Sequence, residues 1–255
     1  MESKSPRYAA FRRRALVLGS AAAVLGLTAG VGIGFALDDG GSSESSDTAP
    51  AAAPAKLVVP ANATGENGTV IPYGKAGAPV TVHVYEDMRC PYCGIFERDL
   101  GPTLDSLVDS GKVKVEFHMA AFLDKRLGGK GSRTALGALG AALNESPAKF
   151  KAFHSALYEA QPEEETTDTF GSTSKLLEIA EKVPGLRTPA FNKAVKEGTY
   201  LLWADKVADA FYESDVTGTP AVKVGDTHIT VIDEEGKAVG ADRFTEQIDA
   251  AAAKR

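Results

Sequence analysis

Val80, Val82 and Val84 fall on one side of an extended backbone and Thr81, His83 and Tyr85 on the other, the period of two that predicts a strand. After Cys90-Pro91-Tyr92-Cys93 the period changes: Phe96, Leu100, Leu104 and Leu107 recur at helical spacing, and Gly111 closes the run. Alternation returns with Val113, Val115, Phe117 and Met119 opposite Lys112, Lys114, Glu116 and His118. Strand, helix and strand in that order predict a β–α–β unit with parallel strands. Helical periodicity then marks 132–143, 148–159, 174–182, 190–197 and 200–212, with Ser146-Pro147 and Thr188-Pro189 reading as N-caps followed by proline at the first helical position. Ala221–Val224 and His228–Ile232 flank the turn Gly225-Asp226-Thr227, and a last helix covers about 242–253. The predicted order is β-β-α-β, a block of helices, then β-β-α. Neither half is long enough to fold alone, so the expectation is one α/β domain over residues 67–255 with a helical insertion at about 125–214.

The first third reads differently. Ala15 to Leu37 is 23 residues without a charge, a length that as a helix reaches roughly 34 Å and crosses a bilayer core. Arg12, Arg13 and Arg14 precede it, so the positive-inside rule puts residues 1–14 in the cytoplasm and the domain outside, tethered to the cell membrane by a single pass. A cleaved signal peptide is the alternative, and it delivers the domain to the same side. Gly26, Gly30 and Gly34 recur every fourth residue, a spacing that allows a weak homodimer of such helices; a chance repeat in an Ala/Gly-rich span explains it equally simply. Residues 38–66 read as a flexible linker, and the sequons at Asn62 and Asn67 are short enough to arise by chance.

Net charge is −6, and since the N-terminal segment is basic, the rest of the chain is acidic. That argues against a nucleic-acid partner. The chain has two cysteines, three positions apart. A bridge closing so short a loop restricts the unfolded chain by only about 2 kcal/mol, which makes a poor staple and a plausible redox centre. Zinc wants four ligands, and His83, His118, His154 and His228 are scattered without ligand spacing, so no metal is expected and the histidines read as ordinary strand or surface residues. Cys90 sits between a predicted strand and a predicted helix. Its thiol would face the unpaired N–H groups and partial positive charge of the helix start, with Pro91 at the position where a missing N–H costs nothing and Arg89 adding charge beside it. Each lowers the thiol pKa. Cys93, one turn on, is placed to close or resolve a disulfide. The expected roles are attack by Cys90 and resolution by Cys93, with no cofactor.

Cys90-Pro91-Tyr92-Cys93 between strand and helix, the helical insertion, and Gly218-Thr219-Pro220 before the final hairpin together resemble the DsbA-like thioredoxin-fold family, in its membrane-anchored bacterial form. The resemblance covers about Thr69 to the C-terminus. It implies a thioredoxin fold, a cis Pro220 beside the cysteines, and a Thr219 backbone that docks substrate as an added strand. It also implies oxidation of cysteine pairs in exported proteins and recycling by a membrane redox partner. Val84 stands where many relatives carry a buried acid, which leaves proton transfer at Cys93 to Glu86 or to water. Tyr92 replaces the histidine of the most oxidising relatives, so a milder oxidant is expected. The alternatives are a reductase or isomerase fed by a membrane donor, glutaredoxin-type chemistry, delivery of redox power to cytochrome maturation, and a polypeptide-binding module whose disulfide is incidental.

Overall fold

A computed structural model describes residues 56–254. The expected α/β arrangement is present, built on a five-stranded sheet in the order β1-β3-β2-β4-β5. β2 (Val80–Asp87) and β3 (Val113–Ala120) run parallel at its centre, β1 (Ile71–Tyr73) lies antiparallel to β3, and β4 (Ala221–Val224) pairs antiparallel with β2 and with β5 (Thr227–Ile229). Between the two central strands the chain makes α1 (Pro91–Asp99) and α2 (Gly101–Asp109). The expectation of one helix there is corrected: Pro102 has no N–H to continue the ladder, and the helix breaks at Leu100. β5 is shorter than expected because Ile232 leaves the ladder for an isolated bridge with Ala238. β1 is a three-residue strand, too short to carry a periodic signal of its own.

The insertion comprises α3 (Phe122–Leu127), α4 (Gly131–Glu145), α5 (Pro147–Glu159), α6 (Thr173–Ala180), α7 (Pro189–Glu197) and α8 (Leu201–Tyr212), and α9 (Ala241–Ala252) follows the hairpin. The two Ser/Thr-Pro starts act as expected: Ser146 Oγ accepts from the Lys149 N–H at 3.1 Å and Thr188 Oγ1 from the Phe191 N–H at 3.0 Å. α4 is rich in small residues because α8 crosses it closely; a Cβ on Gly140 would meet the Trp203 ring at 2.7 Å. That packing leaves Trp203 fully buried, its indole N–H donating to the Gly68 carbonyl at 2.7 Å.

One continuous core joins sheet and insertion, from Val82, Val84, Val115 and Phe117 through Phe96 to Phe150 and Phe153. Among the described residues no helix is long and apolar enough to cross a membrane. The charge-free run at 15–37, with Gly26, Gly30 and Gly34, lies outside the described residues, as do residues 38–55 of the expected linker. The rest of that linker, 56–66, is corrected: the Asn62 side-chain N–H donates to the Leu143 carbonyl at 2.8 Å, the Ala61 N–H donates to Asn144 Oδ1 at 3.1 Å and Thr64 bridges Val70, so the chain is already packed on the domain before residue 67.

Candidate redox site

β2 ends at Asp87, and two residues later the chain must turn into α1. Cys90 takes the N-cap position with extended φ/ψ (−73°, 118°), and Pro91 follows as the first helical residue. This loop is held from three sides. Gln161 donates its side-chain N–H to the carbonyls of Met88 and Cys90, both at 3.0 Å. It approaches so closely over Gly94 that a Cβ there would collide with its amide. Asp87, fully buried, accepts from the Arg89 N–H at 3.0 Å, the Ser132 hydroxyl at 2.5 Å and the Leu123 N–H at 3.1 Å. Arg89 donates to Asp124 at 3.0 Å, to the Gly128 carbonyl at 2.6 Å and to the Glu165 carbonyl at 3.0 Å. The expectation that Arg89 lends its charge to Cys90 is therefore corrected. Its guanidinium is turned into the insertion and paired with an acid there.

The cysteines are reduced, Cys90 6% exposed and Cys93 wholly buried. A hydrogen bond from the Cys93 thiol, against the opposing effect of burial and with help from Thr219 and the N–H groups of Cys93 and Tyr92, lowers Cys90 to about 7. Burial, together with the neighbouring Cys90 and Glu86, pushes Cys93 well above the usual thiol range. The pair thus divides into a ready thiolate lining a surface cavity, with only 6% of Cys90 exposed, and a thiol that keeps its proton, wholly buried behind it. The helix start contributes through named N–H groups rather than through a nearby cation.

The Thr219–Pro220 bond is cis, as the resemblance implies. The Thr219 carbonyl lies 3.4 Å from Cys90 Sγ. Tyr92, 49% exposed, lines the cavities on either side of that contact: one of about 450 Å³ that also includes Cys90, Phe122, Arg126 and Thr217, and one of about 380 Å³ that includes Pro220 and Asp233 to Gly236. Cys90, Cys93, Pro91, Tyr92, Thr219 and Pro220 are thus gathered in one place, while Arg89 forms the floor of the loop.

Glu86 occupies the sheet face of Val84, two residues nearer the cysteines, and is fully buried. One of its carboxylate oxygens pairs with His154 Nε2 at 2.8 Å; the other is buried without a hydrogen-bond partner. Burial and the Glu97 carboxylate raise Glu86 to about 7 in spite of His154. Although burial disfavours its charge, His154 is raised to about 9 by Glu97 and Glu86. Glu97 lies 3.5 Å from His154 and 3.3 Å from Lys151, and Lys151 lies 3.3 Å from Asp105 at the edge of a surface cavity of about 300 Å³. A line of ionisable groups therefore runs from beneath Cys93 to solvent on the far side of α1. The view of the histidines as ordinary strand or surface residues is corrected here, since His154 is a buried cation between two acids. Sequence reasoning missed His154, Glu97, Lys151 and Gln161, whose roles come from contacts between α1, α5 and β2. The one available signal was the alternation that places Glu86 beside Val84.

A family model described as Thioredoxin matches residues 66–250. Disulfide bond formation protein D of Bacillus subtilis is 30% identical over 154 residues, which cover 60% of this chain and 66% of that protein, just under two thirds of its length. The crystal structure of oxidised BdbD from Bacillus subtilis superposes with a TM-score of 0.60 at 26% identity, covering 78% of this chain and 100% of that one. The reduced disulfide bond oxidoreductase DsbG of Mycobacterium tuberculosis gives a TM-score of 0.58 at 28% identity, covering 74% and 94%. With the strand–Cys-Pro-Tyr-Cys–helix junction facing a cis-proline, these likenesses show that the chain belongs to the thioredoxin family, in its DsbA-like group.

Proposed function

We propose that this chain is a thiol–disulfide oxidoreductase that oxidises cysteine pairs in exported proteins. The observation that carries the reading is the division of the pair: Cys90 lowered to about 7 at a helix start against Thr219, and Cys93 raised and buried behind it. In the working direction Cys90 and Cys93 begin as a disulfide. A substrate thiolate attacks Cys90 Sγ; the new S–S bond forms as the Cys90–Cys93 bond breaks, and Cys93 leaves as a thiolate. Its high pKa demands a proton, and Glu86, raised to about 7, supplies one and recovers it through His154, Glu97 and Lys151. A second substrate thiolate then attacks the substrate sulfur of the mixed disulfide and expels Cys90. Two electrons have passed from substrate to Cys90 and Cys93, and the substrate carries the disulfide. Because Cys90 is a stabilised thiolate, its departure is favoured.

The Thr219 backbone beside the cis-proline docks the substrate segment as an added strand, with Tyr92 between the two flanking cavities. Residues 15–37 anchor the domain outside the cytoplasm, residues 38–55 tether it, and a membrane redox partner reoxidises Cys90 and Cys93. The charge-free run, the arginine cluster and the family resemblance support this placement. A Cys90 near 7 resembles thioredoxin more than the most acidic thiols of the family, which lie near about 3.5. The reduction potential is accordingly expected well below about −120 mV. Trapping tests the reading: Cys93→Ser cannot resolve its adducts and accumulates mixed disulfides through Cys90 with exported proteins. A Cys93→Ser chain that forms no adduct in cells contradicts it.

A further inference from the structure

The sheet face opposite Glu86 and His154 carries a second cluster, which the redox reaction does not use. The parallel register sets His83 against Glu116 and Tyr85 against His118, so His83, Glu116 and His118 project from the same side of the sheet. His83 Nδ1 lies 3.1 Å from His118 Nε2 and 3.4 Å from a Glu116 carboxylate oxygen. One ligand atom from each of the three lies within 4.8 Å of the other two. Two ligands bound to a tetrahedral ion at about 2.1 Å stand about 3.4 Å apart, and both short separations fit that spacing.

A cation among these three groups would be ligated by two imidazoles and one carboxylate. The surroundings keep the cluster ordered and reachable. Tyr85 stacks on the His118 ring with centroids 4.5 Å apart. The His83 and Glu116 side chains are each 28% exposed, so water has access. Lys223, opposite His83 on β4, has its ammonium held by Asp215 at 2.7 Å.

We propose that His83, Glu116 and His118 form a site for a divalent transition cation of the zinc class, with a fourth position open to water, clipping β2 to β3. Two imidazoles and one carboxylate are a donor set that suits zinc better than magnesium or calcium, which prefer all-oxygen sites. Sequence spacing conceals the set because His83 and His118 are 35 residues apart and meet only through strand register.

The test uses the full chain with Cys90 and Cys93 oxidised, so that the two thiols cannot themselves capture metal. Calorimetric titration with zinc sulfate is expected to show one equivalent bound with a micromolar or tighter Kd. Glu116→Gln, a nearly isosteric change at a half-exposed position, and His118→Gln are each expected to weaken binding about tenfold or more. Their metal-free dithiol oxidation and thermal unfolding should match the parent chain. Cobalt(II) loading of the parent chain gives a readout independent of any variant: visible d–d absorption at one equivalent, abolished by competing zinc. Binding that is equally tight in the Glu116→Gln and His118→Gln chains, or no cobalt spectrum at one equivalent, overturns the proposal.

Discussion

Glu86 and Asp87 are consecutive, both fully buried, and point to opposite faces of β2. Both carboxyls are raised by burial, Glu86 to about 7 and Asp87 to about 6. Their partners separate them. Asp87 accepts from three donors, and these tie the end of β2 to the starts of α3 and α4. Glu86 has one cationic partner and one bare oxygen, within electrostatic reach of Cys93. A carboxyl with both oxygens engaged holds structure; one with an oxygen left bare beside a thiol is free to move a proton. Burial alone does not tell the two apart.

The largest effect expected from this contrast is on folding. Asp87→Ala strands the Ser132 hydroxyl and the Arg89 and Leu123 N–H groups, and should cost about 3 kcal/mol or more in denaturant unfolding. Asp87→Asn, which keeps an acceptor, should cost less. If Glu86→Gln destabilises as much as Asp87→Ala, the contrast fails. Next comes rate: Glu86→Gln is expected to slow dithiol oxidation at least about tenfold while leaving the cysteines able to form their disulfide. The pH profile sharpens that result. Protonated Glu86 is the donor, so oxidation by the parent chain should fall as pH rises through about 7, and Glu86→Gln should lack that limb.

Alkylation of the reduced chain reads the other half of the pair. The thiolate is the reactive form, so the Cys90 rate should be low below pH 6, rise with pH and reach half its plateau near about 7. The smallest expected effect belongs to Arg89→Met. Since the guanidinium pairs with Asp124, the Cys90 midpoint should stay in place even as the loop loosens. A clear upward shift would restore Arg89 as an electrostatic helper.

Much of this was legible in the residues themselves. Period-two alternation marks β2 and β3, Ser146-Pro147 and Thr188-Pro189 mark helix starts, and Cys90-Pro91 marks the junction where a thiol meets helix N–H groups. These signals are local, and local signals survive in a linear chain. What stayed hidden depends on packing between distant elements. His154 becomes a cation because α5 lays it between Glu86 and Glu97, and Gln161 braces Met88 and Cys90 from the loop two residues past that helix. His83 and His118 look scattered until strand register joins them. Arg89 misled for the reverse reason: adjacency in sequence placed a charge beside Cys90, and the side chain turned to Asp124 instead.

The most direct test mixes the oxidised full chain with a reduced two-cysteine peptide and follows both partners by mass. One peptide disulfide is expected for each Cys90–Cys93 pair reduced, with a transient adduct through Cys90 and no reaction with Cys90→Ser. A peptide that stays reduced beside an intact Cys90–Cys93 disulfide would contradict the oxidoreductase reading.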